Sequence, residues 1–179
     1  AKDRRQRQMC IRDSKKGVLD TALFEGATIN TPSLLVIEDA IDALSWAEEI
    51  GGIEALLKRV DTSFAHFMDW VGASSHFDVL ARDPATISPT ALCLVISDDW
   101  FTAQPDEVQA GVLKSMLALL EAEDVAVDIN AYRDAPMGLR IWGGPTVDPE
   151  DIASLLPWLD WAYETVRVDL QDGSPHGYG

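Results

Sequence analysis

The sequence predicts an α+β fold, a small and mainly antiparallel sheet with helices on one face. Three observations carry this. Apolar residues recur at helical spacing over several long segments, and shorter runs between them have strand character. Along the chain these segments read as two helices, two strands, a helix, two strands and a final helix. At 179 residues and 47% apolar content, the chain can also bury a substantial core.

The elements follow in order. Residues 15–24 alternate loosely around Gly17 and read as a short hairpin or extended segment. Ser33 to Ile50 is the strongest helix: Leu34, Ile37, Ile41 and Leu44 form one face, widened by Leu35 and Trp46, opposite Glu38, Asp39, Asp42 and Glu48. Gly51-Gly52 ends it. A second helix runs from Ile53 to about Val71 on a stripe of Leu56, Leu57, Val60, Phe64, Phe67, Met68 and Val71. Phe77–Ala81 and Ala91–Ser97 are β-type runs separated by the loop signals Arg82-Asp83-Pro84 and Ser88-Pro89. Asp106 caps a third helix to about Glu123, with Val108, Val112, Leu113, Met116, Leu119 and Leu120 as its face. Val125–Ile129 and Leu139–Trp142 read as strands. Asp148-Pro149-Glu150 opens the last helix, whose stripe is Ile152, Leu155, Leu156, Leu159, Tyr163 and Val166, with Pro157 as a point of splitting or kinking. A polar, glycine-rich tail of residues 172–179 closes the chain and is expected to be disordered.

Charge narrows the partners. Fourteen basic against 30 acidic residues give a net charge of −16, which argues against nucleic acid and anionic membranes. No apolar run approaches a membrane span and no signal peptide is evident. Cys10 and Cys93 have no metal-site or disulfide spacing, so a reducing, cytoplasmic setting is expected, with Cys93 a small core residue. The first fourteen residues differ in character, with five basic residues and two acidic ones. They read as a non-native leader: Met9-Cys10-Ile11-Arg12-Asp13-Ser14 is what a common sequencing-transposon end spells when translated. On that expectation the chain is a truncated open reading frame.

Two stretches could carry chemistry. Gly26-Ala27-Thr28-Ile29-Asn30-Thr31-Pro32-Ser33 passes from a β-branched run straight into the strongest helix. Asn30 and Thr31 are good helix caps, and the N–H groups of a helix start also suit an anion, so a cap and a phosphate contact are both open. The second stretch is Ala131 to Trp142, where Arg133 falls in a turn and Arg140 in a strand. Strand alternation turns Arg140 away from Leu139 and Ile141. A planar guanidinium suits bidentate binding of a carboxylate or phosphate, and a structural ion pair is the competing reading. His66, His76 and His176 pair with no nucleophile, and the acidic clusters read as solvated helix faces.

Together these stretches resemble the phosphoserine aminotransferase family. The resemblance is carried by Phe24 to Ser33 followed by an acidic amphipathic helix, by Tyr132-Arg133-Asp134-Ala135-Pro136 with Gly138-Leu139-Arg140-Ile141-Trp142, and by Leu155-Leu156-Pro157-Trp158-Leu159-Asp160-Trp161. It is to the bacterial branch bearing Tyr-Arg-Asp-Ala-Pro and runs from about residue 14 to 168.

The resemblance implies the C-terminal domain of a homodimeric, pyridoxal 5'-phosphate-dependent enzyme of the aspartate-aminotransferase fold. Such an enzyme moves an amino group from glutamate to 3-phosphohydroxypyruvate, giving phosphoserine and 2-oxoglutarate for serine synthesis. Asn30 and Thr31 match the pair that reaches the cofactor phosphate of the neighbouring subunit. Arg140 matches the arginine holding the substrate carboxylate. Arg133 resembles the arginine of a His-Arg pair near the substrate phosphate, with Tyr132 in place of the His and the spacing to Arg140 one residue longer. The implied layout is a leader over 1–14, a connection from a large domain over 15–33, a small domain over 34–168 and a tail over 169–179. The Schiff-base lysine belongs upstream, and none of Lys15, Lys16, Lys58 or Lys114 stands in a matching motif, so the chain alone is expected to be inactive. The rival readings are another class V aminotransferase and a non-catalytic acidic α+β interaction module.

Overall fold

The computed structural model describes residues 14–15, 18–19, 25–26 and 33–172. The chain divides into two units, Ala1–Glu49 and Ile50–Gly179. That division falls inside the 34–168 span that the sequence reads as one domain.

In the first unit β1 (Ser14–Lys15) pairs antiparallel with β2 (Val18–Leu19), in keeping with the expected hairpin. Helix α1 spans Leu34–Glu49 and has no buried residue. Gly51 and Gly52 follow it with φ of 114° and 73°, a left-handed conformation that a Cβ disfavours, which is why the pattern breaks there.

The second unit carries the fold. Helix α2 (Gly52–Ala73) leads into β3 (Phe77–Val79) and β4 (Ala91–Ile96), then the short α3 (Asp99–Thr102), α4 (Asp106–Ala122), β5 (Leu139–Trp142) and α5 (Pro149–Gln171). The strands form one antiparallel sheet in the order β3-β4-β5, with Phe77 opposite Ile96 and Leu92 opposite Ile141. Strict alternation sends Leu92, Leu94 and Ile96 of β4 and Leu139 and Ile141 of β5 to a single face. There they meet Phe67, Val112, Met116, Leu120, Leu159 and Tyr163 from α2, α4 and α5 in one apolar core. The expected α+β layer, helices on one face of a small antiparallel sheet, is the observed one.

Several local expectations change. Val125–Ile129 is not a strand: Asp124 and Asp128 take φ of 56° and 57°, which interrupts extended backbone, and only Asn130 bridges to Leu139. Pro105, not Asp106, is the N-cap of α4, and Asp106 and Glu107 occupy its first turn. Pro157 neither splits nor ends α5, which continues through it to Gln171. Leu57 and Val108 fall outside the buried stripes of their helices. Cys93 is not a core residue. It lies on the opposite face of β4 from Leu92 and Leu94, because the period of two decides which side it takes.

Candidate functional site

The bare face of the sheet holds the arginine that the sequence singled out. In β5, Leu139 and Ile141 are buried, so Arg140 projects to the other side, opposite Cys93 of β4. Its backbone N–H donates to the Ile129 carbonyl at 2.7 Å, which ties the strand to the segment before the loop. Among the described residues, the Arg140 side chain makes no ion pair, and its Nε is buried without a hydrogen-bond partner. In a chain with 30 acidic residues, the ion-pair reading of Arg140 is therefore not the one realised.

The contact that Arg140 does make is aromatic. Its guanidinium carbon sits 4.4 Å from the centroid of the Tyr132 ring. The loop that delivers Tyr132 is closed at its base, where Ala131 N–H donates to the Gly138 carbonyl at 3.2 Å, and a turn in which Ala135 N–H donates to the Tyr132 carbonyl at 2.9 Å folds it over. Gly138 has no room for a side chain, since a Cβ there would lie 2.0 Å from the Leu94 carbonyl oxygen. The glycine in this stretch is thus a packing requirement that lets the loop press onto β4.

The two arginines are brought to different cavities. Arg133 lines one of about 460 Å³ between α4 and the loop, together with Lys114, Asn130 and Glu121. Arg140 lines another of about 380 Å³ with Asp128, Trp142, Val147 and Asp151. Tyr132 connects them, lining the first while its ring lies under the arginine of the second. Lys114 is a residue the sequence reading did not place. Its signal was its position on one stripe of α4 with Ala110, Leu117 and Glu121, legible only once a loop is known to cover that stripe. Asn30 and Thr31 lie outside the described residues.

A polar cluster away from this site involves His76, which in sequence pairs with no nucleophile. Its Nδ1 faces Asp98 Oδ2 at 3.2 Å and its Nε2 faces Glu164 Oε1 at 2.7 Å, while Arg167 pairs with Glu164 at 2.6 Å. Burial pushes the Asp98 carboxyl up, but the nearby Tyr163 hydroxyl, the Phe101 and Trp100 N–H groups and His76 outweigh it and hold that carboxyl below its usual range. Burial, followed by the Asp98 charge, pushes the Tyr163 phenol well above its ordinary value. The cluster joins the start of β3, the cap of α3 and the middle of α5. Among the described residues no group of His, Cys, Asp or Glu could hold a metal ion, and no helix is long and apolar enough to cross a membrane.

A three-stranded antiparallel sheet, backed by helices and carrying an arginine that is in no ion pair among the described residues, is a small α+β domain consistent with the C-terminal domain of a pyridoxal-phosphate enzyme. Relatives give this class a sharper form: the chain is homologous to phosphoserine aminotransferases. It is 39% identical over 157 residues to the Methanosarcina mazei phosphoserine aminotransferase and 40% identical over the same length to that of Methanosarcina barkeri. Each match takes in 88% of this chain and 40% of the relative, so the chain spans about two fifths of their length. A phosphoserine aminotransferase of Rhodococcus jostii is 27% identical over 75% of the chain and 33% of its own length. No family model matches the chain.

Proposed function

We propose that this chain is the small-domain part of a phosphoserine aminotransferase, with residues 34–168 as that domain and 15–33 as its connection to a large one. The observation that carries the reading is Arg140. A half-buried guanidinium on the sheet face away from the core, without a carboxylate partner among the described residues, is suited to receive the carboxylate of an amino or keto acid. The substrates are then glutamate and 3-phosphohydroxypyruvate. Arg133, with Lys114 in the same cavity, gives a locally positive site for the substrate phosphate in an otherwise acidic molecule.

Pyridoxal phosphate, when bound to the complete enzyme, supplies the electron sink for amino transfer. In this chain Asn30 and Thr31 would hold its phosphate, in the active site of a partner subunit, so that the homodimer is the working unit. Lys58 is exposed on α2 and Lys114 on α4, and neither these nor Lys15 of β1 stands in a motif for anchoring the cofactor. The 179 residues alone would then bind and orient but not turn over, and the setting would be cytoplasmic.

The longer reading frame that contains this chain tests the proposal. Purified with pyridoxal phosphate, it should convert 3-phosphohydroxypyruvate to phosphoserine with glutamate as donor. Arg140→Ala should cut kcat/KM by roughly 100-fold or more, in line with loss of a charge-assisted bidentate contact. Full activity in that variant, or turnover by the 179-residue chain alone, would overturn it.

A further inference from the structure

We propose that Tyr132 is a positioning residue, whose ring holds the Arg140 guanidinium in one orientation on the bare face of the sheet and so presents its in-plane N–H donors to a carboxylate. The inference rests on the reading of Arg140 as the carboxylate-binding group.

Four observations support it. First, the guanidinium lies over the ring at 4.4 Å, within the range of a cation–π contact. Second, among the described residues no ion pair fixes the Arg140 side chain, and no side-chain hydrogen bond from it is present, so the ring is the contact left to orient it. Third, the loop that carries the ring is anchored by the chain. The Ala131–Gly138 hydrogen bond, the Asn130–Leu139 bridge and the side-chain-free approach of Gly138 to Leu94 clamp both ends of the loop. Fourth, Arg140 Nε is screened from solvent, so the group is already partly dehydrated before a ligand arrives.

The chemistry distinguishes stacking from pairing. A carboxylate partner would occupy the donor edge of the guanidinium and compete with any incoming acid. An aromatic ring engages the flat face instead and leaves that edge free. A tyrosine here therefore orients the arginine without consuming the donors that a ligand needs. The hydroxyl is not required for this, which separates the role from that of a group touching substrate.

The test uses the full 179-residue chain labelled with 15N. Because Arg140 Nε is shielded, its N–H proton should exchange slowly enough to be observed, and Arg140→Lys identifies it by deletion. The Tyr132 ring current should displace that resonance, a displacement kept in Tyr132→Phe and lost in Tyr132→Leu. Sodium glutamate is then titrated against matched sodium chloride and followed at backbone amides of β4 and β5. The apparent Kd should rise roughly three- to tenfold in Tyr132→Leu, and stay within about twofold of the parent in Tyr132→Phe. A Leu variant unchanged in both readouts overturns the proposal, as does a Phe variant weakened as much as the Leu one, since the hydroxyl would then act on the ligand itself. A glutamate response that is absent, or that survives in Arg140→Lys, removes the reading of Arg140 instead, and the ring-current readout still decides whether Tyr132 holds the guanidinium.

Discussion

His76 stands between two carboxylates, with Nε2 at 2.7 Å from Glu164 and Nδ1 at 3.2 Å from Asp98. Each ring nitrogen thus faces an oxygen that, in a carboxylate, can only accept. The three residues come from the entry to β3, the α3 cap and α5, which makes the ring a fastener between elements far apart in sequence.

Replacing that ring with an apolar group should remove one contact from each of the two carboxylates. His76→Leu is expected to lower unfolding free energy by about 1 kcal/mol, from the loss of its two contacts, since Arg167 still pairs with Glu164 and the Trp100 and Phe101 N–H groups still serve Asp98. Urea denaturation at neutral pH reads this directly, and a loss near zero would show that solvent screens the pair.

Asp98 sets the acid limb of stability. Its carboxyl is held below the ordinary 3.8, so its contribution is complete above that value and is lost as pH falls through the lower folded-state value. Asp98 also accepts the N–H groups of Trp100 and Phe101 at 2.9 and 3.2 Å, capping α3. Asp98→Asn keeps an oxygen for the cap and removes the titration. Its unfolding free energy should depend less steeply on pH below about 4 than the parent's.

Tyr163 gives the corresponding test in alkali. Its phenol is raised above 10.0, chiefly by burial. The neutral form is therefore the folded-state form, and the stability it contributes is complete below its ordinary value and lost as pH rises beyond it. In an ultraviolet titration, one of the three tyrosines should resist ionisation until the chain unfolds. Tyr163→Phe should abolish that late step.

Gly138→Ala tests the seat of the loop. The new Cβ would meet the Leu94 carbonyl oxygen at 2.0 Å, so the backbone of the loop or of β4 must shift. A loss of about 1–3 kcal/mol is expected, as for overpacking against rigid backbone. Because the same loop carries Tyr132, the Arg140 Nε resonance should move too. An unchanged spectrum would mean the loop is not held there.

Pro157 sits exposed inside a helix that continues past it. It donates no backbone hydrogen bond and crowds the preceding turn, so Pro157→Ala should stabilise the chain by about 1–3 kcal/mol. Thermal unfolding followed by circular dichroism is sufficient to see the rise.

Much of this molecule is legible one segment at a time. The helices over 34–49, 106–122 and 149–171 and the strands over 91–96 and 139–142 follow from periodicity and punctuation, because each repeats a local rule several times over. The outward turn of Arg140 follows from Leu139 and Ile141 alone. Residue chemistry points to Arg133 and Arg140, and the family resemblance adds Tyr132. Failures came where one residue overrules a run: apolar Val125–Ile129 looks extended, yet left-handed backbone at Asp124 and Asp128 breaks it.

What only the tertiary structure decides is which residues meet. Nothing local in Cys93 says that it shares the bare face with Arg140, since strand pairing fixes that register. Nothing in His76 announces two carboxylates, one 22 residues and the other 88 residues away along the chain. The separation of Arg133 and Arg140 into two cavities, with Tyr132 as the link, depends on a loop seated against β4 by a glycine. Sequence pattern records the side to which a residue is turned, because backbone geometry repeats. It does not record what waits on that side, because that is set by contacts between segments whose spacing along the chain carries no period.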